Sequence, residues 1–173
     1  EDHPETLTSV NNLGALIGQQ GNLAEAEQYF RQVLERRRRV LGEEHPDTLI
    51  SISNMASLLR RRGKLAEAEP YDREAFEKCS RVLGNDHPDT LISISNMASL
   101  LQRQEKHQEA IDLLVPAEPA ARQAFVGGNA PRLASLLTVL GRARVGLGYD
   151  AGRFALAESN LLEAHSIFVE AHG

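Results

Sequence analysis

An internal repeat decides the architecture of this chain before any single helix is considered. The run HPDTLISISNMASLL stands at His45 to Leu59 and again, letter for letter, at His87 to Leu101, 42 residues on. One period earlier, His3 to Ile17 reads HPETLTSVNNLGALI, and a degenerate fourth copy, APRLASLLTVLGRA, begins at Ala130. The copying extends downstream: GNLAEAEQYF from Gly21 matches GKLAEAEPYD from Gly63 and EKHQEAIDLL from Glu105, and RFALAESNLL from Arg153 follows after a short insertion.

Each unit therefore holds two apolar-periodic segments of helical length, broken at Gly21, Gly63, Glu105 and Gly148. That is a helical hairpin, and four make an array of about eight helices. Small residues twelve apart mark where the helices of a hairpin cross: Gly14 and Ala26, Ala56 and Ala68, Ala98 and Ala110. Gly141 and Ala157 keep the relation once the insertion, within Tyr149 to Ala155, is allowed for. The expected units are 1–42, 43–84, 85–127 and 128–173. Because these boundaries leave no capping residues over, the expectation is a segment of a longer protein.

These residues resemble the tetratricopeptide repeat family, in the long-period form of kinesin light chains. The small-residue pairs, the AEAE run and the LGxxHPxT junction carry the resemblance, which spans essentially the whole chain. It implies an all-α, right-handed α-solenoid of helix-turn-helix units and a non-catalytic role in protein interaction.

The first helix of each unit should start at its His-Pro pair, since proline lacks only an N–H that the first turn leaves unpaired anyway. Acidic Glu5, Asp47 and Asp89 then suit the positive end of the helix dipole. The recurring His3, His45 and His87 read as start signals rather than metal ligands, being about a helix diameter (~10 Å) apart in stacked units. Within the second helices, Pro70 should bend its helix unless it sits near the first turn, and Pro116 with Pro119 should break theirs, making Val115 to Ala120 the expected flexible segment. Asp72 stands where other units have Phe30, Leu114 and Leu161, so either Tyr71 fills the site or the packing there is weaker. The run Arg36 to Arg39 reads as a solvated face complementing a helix C-terminus.

The first helix of unit two, roughly Thr48 to Arg62, is apolar around most of its circumference, as in a helix sandwiched between neighbours. One stripe stays polar: Ser53, Asn54, Ser57, Arg60 and Arg61. Unit three repeats it as Ser95, Asn96, Ser99, Gln102 and Arg103, and unit one has Asn11, Asn12, Ala15, Gly18 and Gln19. Asn inside a helix costs several tenths of a kcal/mol against Ala, so one phase occupied three times needs a reason. Its amide could pair with a peptide bond, or it could bond to the neighbouring unit in a stacking ladder; both stay open.

The family resemblance implies the first use, with Asn12, Asn54 and Asn96 facing a peptide in a concave groove. Arg60, Arg61, Arg103 and Arg142 tilt that groove toward positive and favour an acidic ligand, the ligand type that the likeness to kinesin light chains also implies. The stripe of unit four, Thr138, Val139, Arg142, Val145 and Gly146, lacks Asn, so the expected path covers units one to three, while outward-facing Val139 and Val145 could receive a ligand side chain.

A net charge of −5 and few aromatic residues argue against nucleic acid as partner, and no apolar run is long enough to span a membrane. The single cysteine, Cys79, excludes an internal disulfide and multi-cysteine metal sites and fits the cytoplasm. No phosphate-binding glycine loop, paired metal-spaced histidines or nucleophile elbow appears, so neither an enzyme nor a bound cofactor or metal is expected. The alternative function is structural: a spacer or regulatory arm of a larger multidomain signalling protein, stacking or self-associating end to end through uncapped helices.

Overall fold

The computed structural model describes residues 3–148 and 151–172. Among them the chain forms helices α1 (Pro4–Gln19), α2 (Leu23–Leu41), α3 (Pro46–Arg61), α4 (Leu65–Leu83), α5 (Pro88–Arg103), α6 (His107–Ala124), α7 (Ala130–Gly146) and α8 (Ala151–His172). A 3₁₀ turn, Gly127–Asn129, precedes α7. There is no strand among the described residues. The chain divides into two compact bodies, Glu1–Val82 and Leu83–Gly173, so that α4 crosses the division by one residue and each body holds two hairpins. Tyr149 and Asp150 of the unit-four insertion lie outside the described residues.

The repeated His-Pro pairs start helices for a reason visible at atomic level. Nδ1 of His3, His45 and His87 accepts a hydrogen bond from the backbone N–H two residues on, at 3.4, 3.2 and 3.2 Å. Each imidazole thus serves as the N-cap that Ser or Asp usually provides, and the following proline occupies the first helical position. The recurrence of histidine is a capping device.

The hairpin turns fall where the sequence breaks. Gly21, Gly63 and Gly148 have φ of 91°, 75° and 89°, the left-handed conformation that ends a helix without a Cβ penalty. In unit three Glu105 takes the same conformation, with φ 63°, although it carries a side chain.

Small residues let the helices of each hairpin approach. A Cβ at Gly14 would lie 3.0 Å from Tyr29 Cβ, and one at Gly141 only 2.8 Å from Leu161 Cγ. Ala56, Ala68, Ala98 and Ala110 are fully buried. Within the first body, α2 packs against both α1 and α3, and α3 buries Leu49, Ile52, Met55, Leu58 and Leu59. Within the second, α7 packs against α5, α6 and α8, burying Leu136, Leu137 and Leu140.

The expected break at Pro116 and Pro119 does not occur. Helix α6 runs unbroken from His107 to Ala124, and α4 is continuous through Pro70. Pro70 is exposed and Pro116 and Pro119 lie on the outer side of α6, with Val115 exposed beside them. Water can take the carbonyls that a proline leaves without an N–H donor, so no buried carbonyl is stranded at these exposed positions.

Candidate functional site

The polar stripe is best described one body at a time. In the first body Asn12 and Arg61 are exposed, Ser53, Asn54 and Ser57 are half-buried, and Asn11 is buried. Asn54 Nδ2 donates to Asn11 Oδ1 at 3.1 Å, and Arg61 Nη2 donates to the carbonyl of Gly18 at 2.8 Å. Both bonds join residues 43 apart, one more than the repeat period. Within this body α1 and α3 therefore meet in a register shifted by one position. Asn54 commits its amino group to stacking and keeps its carbonyl, while Arg61 gives a second hydrogen bond to the Gly18 carbonyl, which already accepts from the Gly21 N–H at 3.1 Å.

Arg60 leaves the stripe altogether. Its Nη1 donates to Oδ1 of Asp72 on α4, and the two side chains are 10% and 1% exposed. Asp72 occupies the very site that Phe30, Leu114 and Leu161 fill elsewhere, and Arg60 enters the hairpin to meet it. The site is thus taken by Asp72 itself, paired with Arg60. Burial pushes the Asp72 carboxyl above its ordinary pKa, with the Arg60 charge opposing, and the second carboxylate oxygen, Oδ2, has no hydrogen-bond partner.

In the second body Ser95, Asn96 and Ser99 are half-buried, and Arg103 and Arg142 are exposed. Among the described residues, neither of these arginines makes a hydrogen bond or ion pair within its own body. Thr138 spends its hydroxyl proton on the Ala134 carbonyl at 2.8 Å. Val139 is half-buried, whereas Val145 is half exposed, at 51%.

The basic run is not a solvated face. Arg37 is 2% exposed; its Nη1 donates to the Asp47 carbonyl and Ser51 Oγ, both at 2.9 Å, and its Nη2 to Thr8 Oγ1 at 3.0 Å. One guanidinium thus ties α2 to both α1 and α3, the use that its fork of donors allows. Burial lowers its pKa, with Asp47 opposing. Arg38 reaches both carboxylate oxygens of Glu74 at 2.7 Å, and Lys78 bridges Glu74 and Glu43. Sequence reasoning missed this network because an arginine run alone does not show which members face inward.

Cys79, the single cysteine of the sequence, is buried. Among the described residues no three His, Cys, Asp or Glu side chains gather as a metal site, and no helix is long and apolar enough to cross a membrane.

Two family models, each described as tetratricopeptide repeat, match residues 6–47 and 49–123, together well over half of the chain. Among solved structures, a protein of Podosopora anserina described as a putative kinesin light chain with nearly identical TPR-like repeats superposes with a TM-score of 0.71 at 23% identity, over 99% of this chain and 79% of that one. A variant of that same protein gives 0.74 at 23% identity, over 98% and 78%. BtubC (BKLC) from P. vanneervenii gives 0.77 at 21% identity, over 96% of this chain and 65% of that one. No curated protein matches by sequence. The fold class is that of these all-α helical-repeat solenoids.

Proposed function

Because the chain belongs to the tetratricopeptide repeat family, whose repeats generally mediate protein–protein interaction and are typically non-catalytic scaffolds, we propose that it binds an extended acidic peptide along the polar faces of its first helices. The observation that carries this reading is the state of the arginines. Arg60 and Arg61 are committed inside the first body, whereas Arg103 and Arg142 stand exposed with their donors uncommitted within the second. Two exposed guanidinium groups on first helices offer charge-assisted, bidentate bonds to carboxylates. Half-buried Asn96 and exposed Asn12, with Ser53, Ser57, Ser95 and Ser99, supply donors and acceptors for a peptide backbone. Arg61 and the Asn11–Asn54 pair contribute chiefly by holding the first two units in register.

The bound segment is a protein, not nucleic acid, because the charge available on these helices is local and the chain as a whole is acidic. We infer a cytoplasmic location from the single reduced-type thiol, Cys79.

The test is a screen of matched peptide libraries, one rich in Asp and Glu and one with the same residues as Asn and Gln. Preferential capture from the acidic library, weakened by salt, is expected. Equal capture from both, or none from either, would remove the acidic-peptide reading.

A further inference from the structure

One stripe of the second helix is charged in units one and two and apolar in unit three. It reads Arg31, Gln32, Glu35, Arg36 and Arg39 on α2, and Arg73, Glu74, Glu77, Lys78 and Arg81 on α4. Each cation of the α4 stripe is answered by a carboxylate: Arg73 by Glu69 at 3.2 Å, Lys78 by Glu74 at 2.6 Å and Glu43 at 2.7 Å, and Arg81 by Glu44 at 2.6 Å. The residues 42 further on, on α6, are Val115, Pro116, Pro119, Ala120 and Gln123, with no charge among them. Val115 is 43% exposed, and Pro116, Pro119 and Gln123 are exposed, so burial does not account for the change. Nor does helix formation, since proline is the poorest residue inside a helix and glutamate, which α4 has at both places, is among the better ones.

Pro116, Pro119, Ala120, Gln123 and Ala124 line a cleft of about 410 Å³ together with Asp86, in the turn before α5, all within the second body. Asp86 keeps the acid that unit two has at Glu44, but Gln123 stands where Arg81 stands. Among the described residues Asp86 has no hydrogen bond or ion pair from its side chain, and Asp112, one turn before Pro116, takes only the uncharged amide of Gln108 at 2.8 Å. Arg122 of the same helix is engaged by Glu118 and Glu163. At 1.5 Å per residue, Asp112 lies about 16 Å along α6 from Gln123, the residue that shares the cleft with Asp86.

An apolar strip with an unanswered carboxylate at each end fits a ligand of complementary order. We propose that this face of α6 docks an extended segment of a partner protein carrying a basic residue at each end of a short apolar stretch. One cation takes the place toward Asp86 that Arg81 takes toward Glu44, the other meets Asp112, and the residues between them lie on Val115, Pro116 and Pro119. Proline suits such a surface because its ring is a rigid apolar face, so little conformational freedom is lost when a ligand covers it. The ligand chemistry is the reverse of that sought by Arg103 and Arg142, and this inference does not rest on the acidic-peptide reading.

An extended chain spans the two carboxylates with cations about five residues apart. The probe is therefore a peptide library with Arg fixed at that spacing and Leu, Val, Ile, Phe or Tyr between, set against one with the same cations and Ser, Gln or Asn between, and one with Glu in place of Arg. The 173-residue chain is expected to capture peptides from the first library alone. The strongest of them should bind Val115→Arg with Ala120→Lys at least tenfold more weakly; α4 carries these residues at the same positions, so the helix accommodates them. Asp86→Asn with Asp112→Asn, both at exposed sites, should bind several-fold more weakly and lose most of the salt dependence. Arg103→Ala with Arg142→Ala should bind this peptide as the native chain does. No capture, equal capture from either of the other libraries, undiminished binding by either of the α6-face variants, or weakened binding by the Arg103 and Arg142 variant would overturn the proposal. So would a native chain that self-associates and is dispersed by Val115→Arg with Ala120→Lys, since the occupant would then be a second copy.

Discussion

Arg60 on α3 and Asp72 on α4 form an ion pair inside the second hairpin, at a crossing that the other three hairpins fill with Phe30, Leu114 or Leu161. A buried pair of this kind returns little net stability, because removing two charges from water costs about what their attraction gains, whereas removing one partner alone typically costs about 3–5 kcal/mol. Asp72→Ala is therefore expected to lower the unfolding free energy by about 3 kcal/mol. Arg60→Gln with Asp72→Leu installs the pair that unit three carries at Gln102 and Leu114, and should recover nearly all of that loss. Urea unfolding of the three chains measures both values; a double variant as unstable as the single one would contradict this reading.

The same pair gives pH dependence an unusual sign. The Asp72 carboxyl is raised above 3.8 in the folded chain, so the folded state binds its proton more tightly than the unfolded state does. Its contribution is largest below the unfolded value and is lost as pH rises through the folded one. Glu43 and Glu163 behave oppositely: hydrogen bonds from Lys78 and Arg122 hold their carboxyls below 4.5, and their contributions are lost on acidification. The stability of the native chain relative to Asp72→Asn should accordingly fall as pH rises from about 4. Unfolding curves for both proteins across that range decide it, and a difference that grows with pH would refute the assignment.

Glu105 provides a gain-of-stability test. It alone among the four hairpin turns adopts positive φ with a side chain, a conformation costing about 1 kcal/mol relative to glycine. Glu105→Gly should raise the unfolding free energy by about that amount, read as a higher urea midpoint with unchanged slope.

Capping by imidazole makes a separate prediction. His45→Ala removes the acceptor for the Asp47 N–H and should cost about 1 kcal/mol, while His45→Ser should retain or exceed native stability. If alanine and serine were equally destabilising, the imidazole would be acting through packing and not as a cap.

Much of the fold was legible because repetition tests each inference several times. The starts at Pro4, Pro46 and Pro88 and the turns at Gly21, Gly63, Glu105 and Gly148 all follow from aligned copies. What one sequence could not supply was side-chain direction. The ladder joins residues 43 apart, not 42, so matching copies letter by letter pairs Asn12 with Asn54, whereas Asn11 is its partner. Arg37 looked solvated among its neighbours and proved the most enclosed of the run. The prolines of α6 were misjudged because their cost depends on which side of the helix they face, and α6 turns them toward water.

The central claim, that the uncommitted arginines read an acidic peptide, is tested most directly by the affinity of the strongest acidic peptide from the library screen for the native chain, for Arg103→Ala with Arg142→Ala, and for Arg61→Ala. With melting temperatures matched or corrected for, the double variant should bind at least tenfold more weakly and lose most of its salt dependence, as expected for two charge-assisted contacts of about 1.5–3 kcal/mol each at most. Arg61→Ala should lose stability but little affinity. Undiminished binding by the double variant, or a loss confined to Arg61→Ala, would contradict the account and return the reading of charge to the first body.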